Sequence, residues 1–313
     1  MRNLPTTTSL LSLIALLFLT SCTTNPHSER RDGIIQAQDY ETADLADITA
    51  DTLKLAQMTG KENILVVFDI DNTILAMEQG LGSDQWYEWQ KELSTESPCS
   101  PQYVGDRFAA QGALYFASAM RPTQENGSDQ VKAIQDLDVA VIALTSRGPD
   151  FQLQTFRELR RNNFTFSYTA IGPIGGYDEL FTPVEDGRAT LYEDGVYMTA
   201  GQHKGQMLST LLEKTGTRMP GVIVMVDDKQ KNLDAIKETF SALNVPVHAW
   251  RYTGEDNNVR EFDSEQANLL WNSVEDALRL IQQALGPDNY DLSGAVPPPE
   301  CVQPLSSSPV SGD

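Results

Sequence analysis

The sequence predicts an α/β protein built on a parallel sheet with helices on both faces. Three observations lead there. Four short apolar-rich runs, at 64–68, 139–144, 222–226 and 245–252, read as strands buried on both faces. Stretches with apolar residues at helical spacing stand between them. The segments just after the first three runs are polar or acidic, and ligands of such sheets bind beyond the carboxyl ends of the strands.

Taken in order, the chain opens on Met-Arg-Asn and an apolar run at 10–19 that leads into Leu19-Thr20-Ser21-Cys22. A positive start, a short apolar core and small residues before a cut make a secretory signal over 1–21, too short and wrongly flanked for a spanning helix. The Cys after the small residues resembles the lipobox of bacterial lipoproteins. That resemblance implies a lipid anchor on Cys22 and, with Thr23 rather than Asp following, the outer membrane, on either its periplasmic or its surface face. The residues alone also fit an ordinary signal peptide cut elsewhere.

Residues 22–38 are polar and read as a tether, and Leu45, Ile48, Leu53 and Leu55 predict a helix within 40–58. Residues 84–135 read as helices and loops, and 151–161 as an amphipathic helix. Residues 189–199 alternate around Glu193-Asp194-Gly195, as a β-hairpin does. Helices are predicted at 204–214, 230–243 and 274–284. Residues 286–313 are rich in Pro, Ser and Gly and read as a disordered tail.

At 313 residues and 40% hydrophobic, the chain has room for one large domain, or a core with a smaller cap. Its net charge of −21 repels nucleic acid backbones and anionic membrane surfaces, so no nucleic acid partner is expected. The same field means that a phosphate site must bring its own local positive charge. Besides Cys22, the cysteines are Cys99 and Cys301, both in Pro-rich surroundings and without metal or redox spacing. They can pair in an oxidising compartment, but spacing does not show that they meet. His203 and His248 lie far apart, and no Gly-x-Ser-x-Gly elbow, Walker loop or zinc spacing is present.

Four segments carry the chemistry. Asp69-Ile70-Asp71-Asn72-Thr73 follows the first strand and Thr145-Ser146-Arg147-Gly148 the second; Lys204-Gly205 precedes the third, and Asp227-Asp228-Lys229 follows it, with Asn232 one turn on. Singly each is weak: a Thr after a strand often only caps a helix, and two Asp can simply favour a helix dipole. In this order they resemble the four motifs of the haloacid dehalogenase superfamily, whose core is Rossmann-like. The Asp-Asp-Lys-x-Lys-Asn-Leu run and the hairpin before Lys204 look like a poorly characterised bacterial branch of it, a domain family named as of unknown function. Secreted acid phosphatases of classes B and C offer a looser parallel.

The resemblance implies hydrolysis of a small phosphorylated substrate, a phosphate monoester, outside the cytoplasm. Asp69 would attack phosphorus and hold the phosphoryl group as an acyl phosphate. Asp71 would protonate the leaving oxygen and then activate water. Thr145 would donate a hydrogen bond to the phosphoryl oxygens, Lys204 a fixed positive charge, and Ser146 and Arg147 would bind substrate. Mg²⁺ would be held by Asp69, the backbone carbonyl of Asp71 and Asp228, with Asp227 and Asn232 orienting them. Asp227 stands where the family pattern has Gly and Asn232 where it has an acid, so the choice between Asp227 and Asp228 as ligand turns on register, and alignment favours Asp228.

By the same resemblance the Rossmann-like core comprises 39–75 and 128–285, and 76–127 is a helical cap inserted after the first strand. Most of the cap aromatics, Trp86, Tyr87, Trp89, Tyr103, Tyr115 and Phe116, are expected in the cap's own core, with some facing the leaving group. Arg107 and Arg121 are candidate second phosphate contacts. Two other readings stay open: a surface lipoprotein that uses this fold as a binding module, and a phosphotransferase that passes the phosphoryl group to an alcohol.

Overall fold

A computed structural model describes residues 35–286 and 290–301. The signal segment, Cys22 and most of the proposed tether lie outside the described residues.

β1 (Gln38–Thr42) leads into α1 (Leu45–Thr59), whose first turn is capped by Asp44 accepting from the Ala46 N–H. β2 (Ile64–Phe68) follows, then β3 (Leu75–Met77), α2 (Asp84–Glu96), α3 (Arg107–Ala117), β4 (Met120–Pro122) and α4 (Gly127–Gln135). β5 (Ala140–Thr145), α5 (Gln152–Arg161), the hairpin of β6 (Leu191–Glu193) and β7 (Val196–Met198), and α6 (Lys204–Thr215) come next. β8 (Val222–Asp227), α7 (Gln230–Ala242), β9 (Val247–Tyr252), α8 (Asp256–Arg260) and α9 (Ser264–Leu285) complete the series.

The α/β fold expected from the sequence is present. Seven strands form one sheet in the order β1-β9-β8-β2-β5-β7-β6, parallel throughout except for the β6–β7 hairpin. The central strand β2 is buried at every position, and its side chains alternate between two cores. Ile64, Val66 and Phe68 join Leu45 and Ile48 of α1 and Val131 and Ile134 of α4 on one face. Leu65 and Val67 join Leu208 and Leu211 of α6 and Ile236 and Phe240 of α7 on the other. Burial on both faces is why these strands read as unbroken apolar runs. The chain passes from β2 to β5 on one side and later returns to β8 on the other, so β2 stands at the switch point where a ligand crevice forms.

Three expectations are corrected here. Tyr40 belongs to β1, not to the leading helix; it stacks on Trp250 of the parallel neighbour β9, with ring centroids 4.2 Å apart. The closing helix begins at Ser264, ten residues earlier than read, because its first turns (Ala267, Trp271) pack on the inserted segment rather than on the sheet. Residues 290–301, read as disordered tail, are packed: Tyr290, Leu292 and Ala295 are buried with Trp86, Ala110 and Leu114. Arg279 of α9 donates to the carbonyl of Leu292, and Cys301 is joined to Cys99 by a disulfide with Cα atoms 5.2 Å apart. A Pro-rich composition hid three apolar residues that had a partner surface waiting.

Candidate active site

The residues after β2, β5 and β8 converge on one pocket. Its walls include Asp69, Asp71, Ser146, Arg147, Lys204, Asp228, Lys229 and Asn232, with Tyr87, Phe108, Gln111 and Tyr115 coming from the inserted helices. The cavity volume is about 400 Å³.

Local backbone chemistry places the first segment. Asp69 donates its N–H to the carbonyl of Val226 in β8, 2.9 Å, which locks it beside that strand's end. The chain then turns tightly: Thr73, Ile74 and Leu75 all donate N–H groups to the carbonyl of Ile70, and Asn72 takes the left-handed conformation at φ 56°. Thr73 is fully buried and its Oγ accepts the N–H of Asp228 at 3.0 Å. One hydroxyl thus joins the first and last segments.

Lys204 arrives from another direction. It is the first residue of α6 and is 2% exposed, yet it carries a charge, so it must be paired. Its Nζ lies 2.7 Å from Asp69 Oδ1 and 2.7 Å from Asp227 Oδ2. Gly205 makes this approach possible: a Cβ there would sit 2.2 Å from the carbonyl oxygen of Ala235 in α7. His203 caps the helix by accepting the Gln206 N–H at Nδ1, 3.3 Å, and also faces the pocket.

The carboxylates divide by environment. Burial, and then Asp227, push the Asp69 carboxyl up to about 7, with Lys204 pulling it back. Burial, Asp227 and Asp69 push Asp228 well above the usual carboxylate range. Burial opposes the charge on Lys204, but Asp227 and Asp69 more than restore it and hold the ammonium firmly charged. Asp227 is held on both oxygens: Oδ1 accepts from the Lys229 N–H and Asn232 Nδ2, each at 2.9 Å, and Oδ2 from Lys204 and, at 3.1 Å, from Asn232. Among the described residues, none donates a hydrogen bond to the Asp228 carboxylate. One carboxylate oxygen each from Asp69, Asp227 and Asp228 lie within 4.8 Å of one another.

Asp71 has a different partner. Arg147 grips it bidentately, Nε to Oδ2 at 2.9 Å and Nη2 to Oδ1 at 2.7 Å, and Tyr115 donates its hydroxyl to Oδ1 at 3.3 Å. The Arg147 guanidinium also lies 4.5 Å from the Tyr115 ring centroid. Burial alone would raise Asp71, but Arg147, by charge and hydrogen bonds, and Lys229 hold it below the ordinary value. Arg147 is itself fixed by donating Nη1 to Thr155 Oγ, 2.9 Å.

The structure brings together Asp69, Asp71, Ser146, Arg147, Lys204 and Asp228 on the pocket wall. Asp227 and Thr145 stand behind it: Asp227 is fully buried, and Thr145, 1% exposed, has its Oγ occupied as acceptor of the Arg147 N–H at 3.1 Å. Arg107 and Arg121 are corrected, since neither lines this pocket. Arg121 is paired with Glu255 at 2.7 Å, and Arg107 lies 4.7 Å from the Tyr87 ring centroid. Of the cap aromatics, Tyr87 and Tyr115 reach the pocket, whereas Trp86 is buried in the cap core and Trp89 packs on Phe262.

Reasoning from sequence missed Asp84, Glu88, Arg188 and the part played by Lys229. Lys229 joins the last segment to α2 through Asp84 at 2.6 Å and Glu88 at 3.3 Å. Its place next to Asp228 was the available signal; Arg188 gave none. Lys91, Arg147, Arg188, Lys204, Lys229 and Lys231 all line the pocket, against the acids Asp69, Asp71, Asp84, Glu88 and Asp228. A chain with a net charge of −21 thus gathers more bases than acids around this one cavity.

Asp51 accepts from the indole N–H of Trp250 and pairs with His248 Nδ1 at 2.7 Å, which makes that histidine a part of the packing between α1 and β9. Comparison with curated proteins finds no match. Residues 41–284, from β1 through nearly all of α9, match the family described as "Protein of unknown function (DUF2608)". The match covers well over half of the chain and takes in every residue that lines the pocket, so the protein belongs to the DUF2608 family.

Proposed function

We propose that this chain is a Mg²⁺-dependent phosphomonoesterase of haloacid dehalogenase type, with Asp69 as nucleophile. The observation that carries the reading is the buried pairing of Asp69 with Lys204 beside Asp228, at the floor of a cavity richer in bases than acids. A binding module needs no carboxylate aimed at its ligand and held by a buried ammonium.

Three carboxylates within 4.8 Å are hard oxygen donors and fit a hard divalent cation. Asp69 and Asp228 would hold Mg²⁺, with Asp227 kept from it by Lys204 and Asn232. When bound, the ion supplies positive charge that offsets the crowded carboxylates and draws phosphoryl oxygens toward them. Asp69 Oδ attacks phosphorus, the bond to the leaving oxygen breaks, and an aspartyl phosphate forms. Lys204 holds the nucleophile in place and stays charged throughout. Arg147 binds the phosphoryl oxygens; in turning to them it loosens its grip on Asp71, whose carboxylate then takes up a proton from solvent, passes it to the leaving oxygen and later takes one from the attacking water. That water cleaves the aspartyl phosphate and restores Asp69.

A chromogenic phosphate ester, assayed with Mg²⁺ and in excess chelator, tests the reading. Turnover should require Mg²⁺, and Mg²⁺ alone should raise the melting temperature, since it binds the native state. Asp228→Ala should raise the Mg²⁺ concentration needed for half activity by at least about tenfold and shrink the thermal shift. Full activity in chelator, with no thermal shift, sinks the mechanism and favours the binding module.

The envelope location is part of the same reading, supported by the Cys99–Cys301 disulfide, which suits an oxidising compartment. Cys22→Ser should release the protein from membranes after a salt wash. Retention would mean that another feature is the tether, because salt does not screen a buried acyl chain.

A further inference from the structure

The catalytic pocket opens into a second chamber. Phe108, Ser146, Phe151 and Arg188 line both, and the second cavity is about 830 Å³, roughly twice the first. It lies between α3 and the packed segment that includes Tyr290 and Asp291.

Its chemistry differs from that of the first pocket. Asp106, Asp150 and Asp291 face it, and Arg188, at the neck, is its basic residue. Asp106 is engaged in capping α3, and Asp291 is bonded to Gln282 and Ser293. Asp150 is exposed, and among the described residues no side chain pairs with it. Such a chamber repels a remote anion and offers acceptors to hydroxyls. Phe108 is 49% exposed; Arg107 lies 5.3 Å from its ring centroid and Tyr87 packs edge-on against it, and the part of the ring left open adds an aromatic surface on which a sugar ring can lie.

The chamber is also kept open by a residue that helix stability would not choose. Gly112 sits within α3, where alanine is the better helix former. A Cβ there would meet only the Phe151 ring, at an ordinary 3.6 Å, so packing does not demand glycine. What its absent side chain leaves is space in the chamber.

We propose that this second chamber holds the leaving group of an extended phosphomonoester, a hydroxyl-rich alcohol without negative charge and longer than one sugar, whose phosphate lies beside Asp69. The proposal rests on the phosphohydrolase reading above.

The test uses the whole protein with Mg²⁺ and compares two neutral-alcohol esters, glycerol 3-phosphate and maltotriose phosphorylated at one terminal 6-hydroxyl, with a third ester that ends in a uronic acid for one variant. The extended ester should have the higher kcat/KM, by at least about tenfold. Gly112→Leu, which narrows the chamber beside Phe151, should lower the ratio of extended to short by about that factor. Asp150→Arg, at an exposed position, guards against misfolding of the first variant. It should raise kcat/KM for a phosphorylated oligosaccharide ending in a uronic acid relative to the neutral one. Equal kcat/KM for the two esters in the wild type, or ratios unmoved by both variants, overturns the chamber's role while the phosphatase reading stands. Hydrolysis of neither ester overturns both.

Discussion

Asp69→Asn is expected to lower phosphomonoester hydrolysis by at least about a thousandfold while the protein stays folded. The amide keeps the size and much of the hydrogen bonding of the carboxylate but has no charge with which to attack phosphorus. Its effect on stability should depend on pH. Burial and Asp227 raise the Asp69 carboxyl to about 7 in the folded, metal-free protein, against about 4 in an unfolded chain. A carboxyl raised on folding favours the folded state fully below its unfolded value. That contribution is lost as pH rises from about 4 through about 7, amounting to a few kcal/mol. In chelator, the wild type should therefore lose stability relative to Asp69→Asn across this window. Urea unfolding of both proteins at pH 4.5 and pH 8 reads the difference. Near-wild-type turnover by the variant would mean the nucleophile is elsewhere. A stability difference that does not move with pH would mean that Asp69 is not held in the environment described.

Lys204→Met should damage fold and activity together. The methionine fills much of the lysine's volume, so the change isolates the charge. Two carboxylates that each lie 2.7 Å from the ammonium, Asp69 and the fully buried Asp227, would be left facing each other. Removing one partner from a buried ionic cluster costs about 3–5 kcal/mol, because the remaining charges stay desolvated and unopposed. The denaturation midpoint should fall accordingly in chelator, and hydrolysis should fall with it, since the nucleophile loses its anchor. Adding Asp227→Asn removes one of the two opposed charges and should recover part of the stability but not the activity. A Lys204→Met protein as stable as the wild type would refute the buried cluster. One that hydrolyses esters normally would remove Lys204 from the mechanism.

The fold was legible because its strands are buried on both faces. Continuous runs such as 64–68 and 222–226 leave little else for a five-residue apolar segment between amphipathic helices to be. The candidate site was legible for a related reason: Asp69, Arg147 and Asp228 stand just beyond the ends of β2, β5 and β8, and Lys204 opens α6, places that sequence order already marks. Asp69, Arg147, Lys204 and Asp228 each stand out in the sequence, and all four line the one pocket.

Other features depended on contacts between segments far apart in the chain. Tyr40 became a strand residue because β9 offered an open edge with Trp250 on it, a pairing partner about 200 residues away. The stretch at 290–301 carries little apolar content, and it orders because Trp86, Leu114 and Leu278 present a surface that Tyr290, Leu292 and Ala295 cover. Arg121 and Arg147 could not be told apart as phosphate ligands by charge alone. Glu255 occupies the first, and the turn after β5 aims the second at Asp71. The sequence by itself determined the central buried strands, their two apolar faces and their polar ends, since these follow from local periodicity and burial. Only the tertiary structure decided which charges are paired and which face the cavity, because a side chain's partner is set by the packing of segments distant in sequence.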